Sequence, residues 1–175
     1  MDLDVIDNPP PDLVSELDDR IYEFNVSATG IADGRLLAIL VKDSQGALMA
    51  GLSGHTWGGT CEIRLLWVAE DGRGHGLGAR LLQTAEAEAR SRACDQIVLS
   101  THSFQAPGFY AKCGFVEVGR VHDYPRGHDS IPAEAVVNFL RRFLQGKWLG
   151  AMRRDGGGPA YGTTLPCCRL GSRVQ

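Results

Sequence analysis

No apolar run in the 175 residues approaches the ~18 needed to cross a bilayer. The opening stretch MDLDVIDNPPPDL is acidic and proline-rich, without the basic and apolar regions of a secretory signal or transit peptide, so the cytosol is the expected address. The five cysteines (Cys61, Cys94, Cys113, Cys167 and Cys168) contain no CxxC pair and are odd in number, which argues for reduced thiols and against a disulfide framework. Basic charge is not in excess. Eighteen Lys+Arg against twenty-one Asp+Glu leave −3, which removes a general electrostatic case for nucleic acid. The chain has no Gly-Lys-Ser/Thr, hence no Walker A loop. His122 to Asp129 (HDYPRGHD) collects histidines and acids at spacings that fit no standard metal motif, so no metal is expected there and the stretch reads as a loop.

What is present suffices for one domain with appendages. The chain is 43% hydrophobic and 22% charged, enough for a core and unlike a disordered chain. Charge is uneven: after residue 140 seven basic residues face Asp155 alone, a balance of +6 that leaves −9 for the first 140. The expected division is an acidic, proline-rich N-terminus over 1–11 and a folded domain over 12–131. A helix over 132–149 and a flexible, basic, glycine-rich tail over 150–175 follow. The compositional break also fits a C-terminus translated out of frame.

Asp12 is a plausible N-cap for a helix carrying Leu13, Val14, Leu17, Ile21, Tyr22 and Phe24 at near-helical spacing. Arg35 to Lys42, Ala47 to Trp57 and Cys61 to Val68 read as a three-strand meander, with turns at Asp43–Gly46 and Gly58-Gly59. The period then changes. From Gly76 to Arg92 a helix lines Leu77, Leu81, Leu82, Ala85 and Ala89 on one stripe, with Arg80, Gln83, Glu86 and Arg90 toward solvent. A buried strand at Ile97–Ser100, a short helix over Ala106–Cys113 and a strand over Phe115–Val121 complete a mixed α/β sheet.

Between Val68 and Ala79 the chain carries Gly72, Gly74, Gly76 and Gly78 with Arg73, opening a helix. Glycines admit close approach to backbone, and a helix N-terminus offers unpaired N–H groups with partial positive charge. A pyrophosphate is the ligand this favours. Gly74, Gly76 and Ala79 also satisfy a dinucleotide-binding spacing, but that motif belongs to the first turn of a parallel unit with an acid ending the next strand. Here a meander precedes it, and the next strand ends Ser100-Thr101-His102.

Arg73-x-x-Gly76-x-Gly78 after a strand resembles the R/Q-x-x-G-x-G/A loop of the GNAT (Gcn5-related N-acetyltransferase) superfamily. Phe109-Tyr110-Ala111-Lys112-Cys113-Gly114-Phe115 resembles that family's FYxxxGF motif. The resemblance implies a mixed, mostly antiparallel GNAT-type sheet with flanking helices and a bulge and splay at an acetyl-CoA site. It implies acetyl-CoA as acyl donor, its pyrophosphate on Arg73, Gly74, His75, Gly76, Leu77 and Gly78. Its pantetheine arm would pair with Leu66, Trp67 and Val68, flanked by Ala106 and Phe109. It also implies direct transfer of the acetyl group to a primary amine of a small molecule or peptide, with Tyr110 as the acid at the leaving thiolate.

For the base, Glu62 resembles in position the family's catalytic glutamate, with His55 and His102 as alternatives that accept a proton near neutrality. Even spacing sets Glu62, Arg64, Leu66 and Val68 on one face. Trp57 and Trp67 read as strand core. The chain departs from the family after Ile131, where Pro132 and the spacing of Val136, Val137, Leu140, Phe143 and Leu144 predict a helix that replaces or follows the last strand, the alternative being that these residues are forced into it. Competing functions are a non-catalytic acyl-CoA-binding module and a GNAT-shaped interaction domain; Tyr110 favours the enzyme. A homodimer stays open, and the acidic first 140 residues favour a cationic acceptor through long-range attraction.

Overall fold

The structure, a computed structural model, describes residues 3–137. The chain divides after Ile31. In the first unit, α1 (Pro11–Thr29) begins two residues earlier than expected: Pro10 is the N-cap and Asp12 lies in the first turn. Proline suits this position because a first-turn N–H has no helical acceptor to lose. Gly30 closes the helix in the left-handed region (φ 73°), its N–H donating to Val26 O at 2.8 Å.

The second unit is a six-stranded sheet in the order β1-β2-β3-β4-β6-β5. The meander is β1 (Arg35–Lys42), β2 (Leu48–Trp57) and β3 (Thr60–Val68), all antiparallel. In the first turn Asp43 Oδ1 accepts from the N–H groups of Gln45 and Ala47, each at 2.8 Å. In the second, Gly58 and Gly59 both take positive φ, as a two-residue hairpin turn demands. A one-turn 3₁₀ helix (Glu70–Gly72) and α2 (Leu77–Ser91) then cross to β4 (Gln96–His102), which lies parallel to β3.

Leu81, Leu82, Ala85 and Ala89 of α2 are buried in one core with Ala50, Leu52, Cys61, Ile63, Ile97 and Leu99 from the sheet. Each buried leucine contributes about 1.5–3 kcal/mol. Glu86, expected toward solvent, is only 4% exposed, and Arg90 Nη2 meets its Oε1 at 3.1 Å. Past the helix, Arg92 ties α2 to the sheet, donating to Glu88 Oε1 (2.7 Å), to the carbonyls of Arg35 and Leu36, and to Thr56 Oγ1.

The last third corrects two expectations. Residues from Pro132 do not start a helix: β6 (Ser130–Val136) inserts between β4 and β5, with Ile131, Ala133 and Ala135 buried on alternate positions. That period of two outweighs proline's preference for a helix start, while residues 138–149 and the tail lie outside the described residues. The strand expected over Phe115–Val121 shrinks to β5 (Val116–Glu117), followed by an isolated bridge between Val121 and Ser130. Pro132 explains the gap. Its carbonyl accepts from Val118 N at 3.0 Å, but its ring nitrogen has no proton to return, so the ladder breaks and resumes at Val121. Between β5 and β4, α3 (Pro107–Lys112) packs Phe109 and Tyr110 against the core.

One irregularity governs the site. Ser53 pairs with Leu65 and Gly54 with Ile63, so Arg64 is an extra residue bulged out of β3. A Cβ on Gly54 would run into the carbonyl oxygen of Glu62. Gly54→Ala should therefore cost about 1–3 kcal/mol, read as a lower urea midpoint at unchanged m; an unaltered midpoint would show that the bulge tolerates a side chain.

Candidate active site

β3 and β4 pair only from Thr60–Gln96 to Ile63–Leu99; beyond that, Leu65 to Val68 and Ser100 to His102 have no pairing with each other. Ala69 N–H donates to Met49 O of the second strand at 2.8 Å. Because backbone groups alternate along a strand, those of Val68 and Leu66 point the other way, onto the open edge, and those of Trp67 toward β2. The edge therefore offers donors and acceptors to an extended ligand, at two of the three residues expected to supply them.

Past this edge the loop turns through the 3₁₀ helix. Arg73 Nε donates to Val68 O at 3.2 Å, which holds a cation at the strand end. Gly74 (φ +75°) and Gly76 (φ +79°) lie in the left-handed region, and a Cβ built on either would meet no atom within 4 Å. Gly76 is the N-cap of α2, and no side chain caps the helix. The amides of Leu77 and Gly78 thus have no helical acceptor and carry the positive end of the dipole. His75 is exposed beside them. Gly78 has a separate reason to be glycine: its missing Cβ would lie 3.1 Å from Phe109 Cζ, so α3 closes against the start of α2 there. A bare cradle, a cation and an open strand edge in sequence fit a nucleotide diphosphate with an extended arm. Ala106 is the exposed N-cap of α3, its carbonyl accepting from Phe109 and Tyr110 N–H.

Tyr110 stands edge-on to Phe109 and Phe115, with ring centroids 5.1 and 5.9 Å away. It lines a cavity of about 270 Å³ with Thr101, Phe115, Ile131 and Ala133, on the sheet face that carries α2. Burial, and secondarily the Cys113 thiol, push its phenol pKa above the usual 10. The phenol keeps its proton at neutral pH. Burial likewise raises the thiols, Cys61 to about 11 with help from Cys94, so none of the three described cysteines is a ready nucleophile.

Glu62 does not share a face with Leu66 and Val68. The bulge at Arg64 reverses the alternation: Cys61, Ile63, Leu66 and Val68 face the core, while Glu62, Leu65 and Trp67 face the opposite side. Trp67 is accordingly 47% exposed, not strand core. Glu62 Oε2 lies 3.7 Å from His55 Nε2 and its Oε1 3.5 Å from Arg64 Nε. His55 is held below its ordinary 6.5, mainly by burial, with Glu62 opposing and Arg64 assisting. His102, two residues past Ser100 on β4, is on the Glu62 face. Its ring stacks on Phe104 (5.3 Å, 2°) and meets Tyr124 edge-on, and Phe104 meets His128. These partners come from a loop up to 26 residues away in sequence, joined by the β4–β6 register, so no local pattern reveals the cluster.

Tyr110 and Glu62 thus lie on opposite faces of the sheet, Tyr110 at a cavity lined from β4 and β6 and Glu62 one residue before β3 and β4 part. The chain belongs to the acetyltransferase (GNAT) family, whose model matches residues 3–115. It is similar to a blasticidin-S acetyltransferase of Streptomyces morookaense (43% identity over 84 residues, 47% of this chain and 62% of that protein). It is also similar to acetyltransferase Atu2258 of Agrobacterium fabrum (35% over 101 residues, 58% and 74%). The crystal structure of a Bacillus cereus acetyltransferase superposes with a TM-score of 0.63 at 30% identity, covering 76% of this chain and 97% of that one. Solved structures of the same fold, 18% and 22% identical, hold coenzyme A and acetyl-CoA respectively.

Two outcomes follow from this geometry. Gly76→Glu sets a carboxylate in the cradle and should weaken acetyl-CoA binding in calorimetry by about tenfold or more; undiminished binding would move the diphosphate elsewhere. For His55, the unfolded imidazole takes up a proton before the folded one does. Its contribution to stability is complete above pH 6.5 and is lost as pH falls from there toward the folded-state pKa. His55→Gln should therefore show a smaller drop in urea midpoint between about pH 7.5 and about pH 5.5 than the wild type.

Proposed function

We propose that this acetyltransferase transfers the acetyl group of acetyl-CoA to a primary amine of a small molecule by direct attack. The observation that carries the reading is the parting of β3 from β4 one residue past Glu62, with Tyr110 on one face of the sheet and Glu62 with His55 on the other. Acetyl-CoA, when bound, supplies the acetyl group as a thioester. The chain's own groups manage protons around it. An amine arrives largely protonated and must lose a proton to become a nucleophile; Glu62 Oε2, backed by the neutral His55 imidazole, receives it. Arg64, at 3.5 Å, keeps Glu62 oriented. Tyr110 holds its proton on the phenolic oxygen, ready for a departing sulfur.

Direct attack is supported by the thiols, which burial keeps protonated and thus poor acyl carriers. A small-molecule acceptor is favoured over a peptide by the Streptomyces relative, named for blasticidin-S. The reaction belongs in the cytoplasm on this reading, the compartment in which buried Cys61, Cys94 and Cys113 stay reduced.

Tyr110→Phe tests the assignment. Turnover of a primary amine, followed as released thiol, should fall about 10²-fold, while the KM for acetyl-CoA holds. Undiminished turnover would remove Tyr110 from the chemistry. A fall in acetyl-CoA affinity would make it a packing residue.

A further inference from the structure

The ring cluster at the end of β4 places His102 on the sheet face away from α2 and its glycine cradle. It is poorly explained as core, since Phe104 is 54% and Tyr124 59% exposed. Large aromatic rings exposed together on a fixed surface mark a recognition site more often than a packing accident. The surface is fixed. Ser103 N–H donates to Asp129 O (2.9 Å) and Asp129 N–H to Ser103 Oγ (3.0 Å). Arg120 grips Glu117 through two bonds and Asp129 Oδ2 at 2.8 Å, and Tyr124 N–H donates to His128 O at 2.7 Å.

His102 itself argues for a ring's role. Its Nδ1 is buried without a hydrogen-bond partner. A buried lone pair is tolerated more readily than a buried, unpaired N–H, so the neutral ring carries its proton on Nε2. That tautomer offers no accessible lone pair to receive an ammonium's proton. Stacking on Phe104 and edge contact with Tyr124 use the ring's faces and edge instead. Across the parting of β3 from β4, Trp67 is exposed on the same sheet face.

We propose that His102, Phe104, Tyr124 and His128 form the acceptor-recognition wall, and that it selects amines bearing a planar aromatic or heteroaromatic group. This rests on the amine-acetylating reading above and names its acceptor class. His102 becomes a binding residue, and the base is Glu62 with His55.

The test compares benzylamine with cyclohexylmethylamine, an aromatic and a saturated ring of similar size. The ratio of their kcat/KM values is measured for the wild type, Phe104→Leu and Tyr124→Leu. The pair's difference in basicity is common to all three enzymes, so the change in ratio isolates the wall. The aromatic preference of the wild type should shrink about fivefold or more in either variant, with acetyl-CoA binding and urea midpoint retained. A ratio that does not move, or equal loss for both amines, overturns the proposal. Should acetyl-CoA bind yet neither amine be turned over, ligand-observed NMR replaces kinetics. Saturation transfer to benzylamine that vanishes in the leucine variants would then keep the wall while the amine-acetylating reading fails. Transfer that is equal for both amines, or insensitive to the substitutions, would sink the wall itself.

Discussion

The parting of β3 from β4 after Ile63 and Leu99 is the constraint from which the rest of the site derives. A sheet satisfies its backbone groups by pairing them, so two neighbouring strands that stop pairing halfway leave polar groups that need another partner. The bulge at Arg64 lies one residue past the last pair and bends β3 away. Gly54 permits it by leaving room for the Glu62 carbonyl. The unpaired stretch is thereby left free for an extended ligand, the place the proposed reading gives to the donor's arm.

On the proposed reading, the two faces of the sheet carry separate tasks. The α2 face holds the diphosphate cradle and Tyr110, whose burial keeps a proton in place. The opposite face holds the Glu62 carboxylate, with 43% of its side chain exposed. A proton donor and acceptor in direct contact would neutralise each other, and on the proposed reading the sheet holds the two apart.

Legibility in the sequence followed interaction range. The meander and α2 were readable because each is specified by its own periodicity and turn residues: β1 runs from Arg35 to Lys42 as the pattern alone indicated. The glycine loop was readable because positive φ at Gly74 and Gly76 leaves a compositional trace. The face of Glu62 was not, because one bulged residue inverts every parity argument beyond it, and its cause, Gly54, is on another strand. β6 was misread for a related reason. Proline and a helical spacing of valines are local signals, whereas the slot between β4 and β5 that Ile131, Ala133 and Ala135 fill is not. The ring cluster depends on the β4–β6 register, which becomes readable only once β6 is known to be a strand.

Pro132 has a further effect at the outer margin of the sheet. An uninterrupted outermost strand presents a row of unpaired amides and carbonyls on which a foreign strand can polymerise. Here that margin is β5, two residues long, and the chain leaves the sheet plane before touching it again at Val121. A template so short and broken cannot seed edge-to-edge growth. The imino acid that costs one rung of the ladder therefore guards that side of the molecule against aggregation.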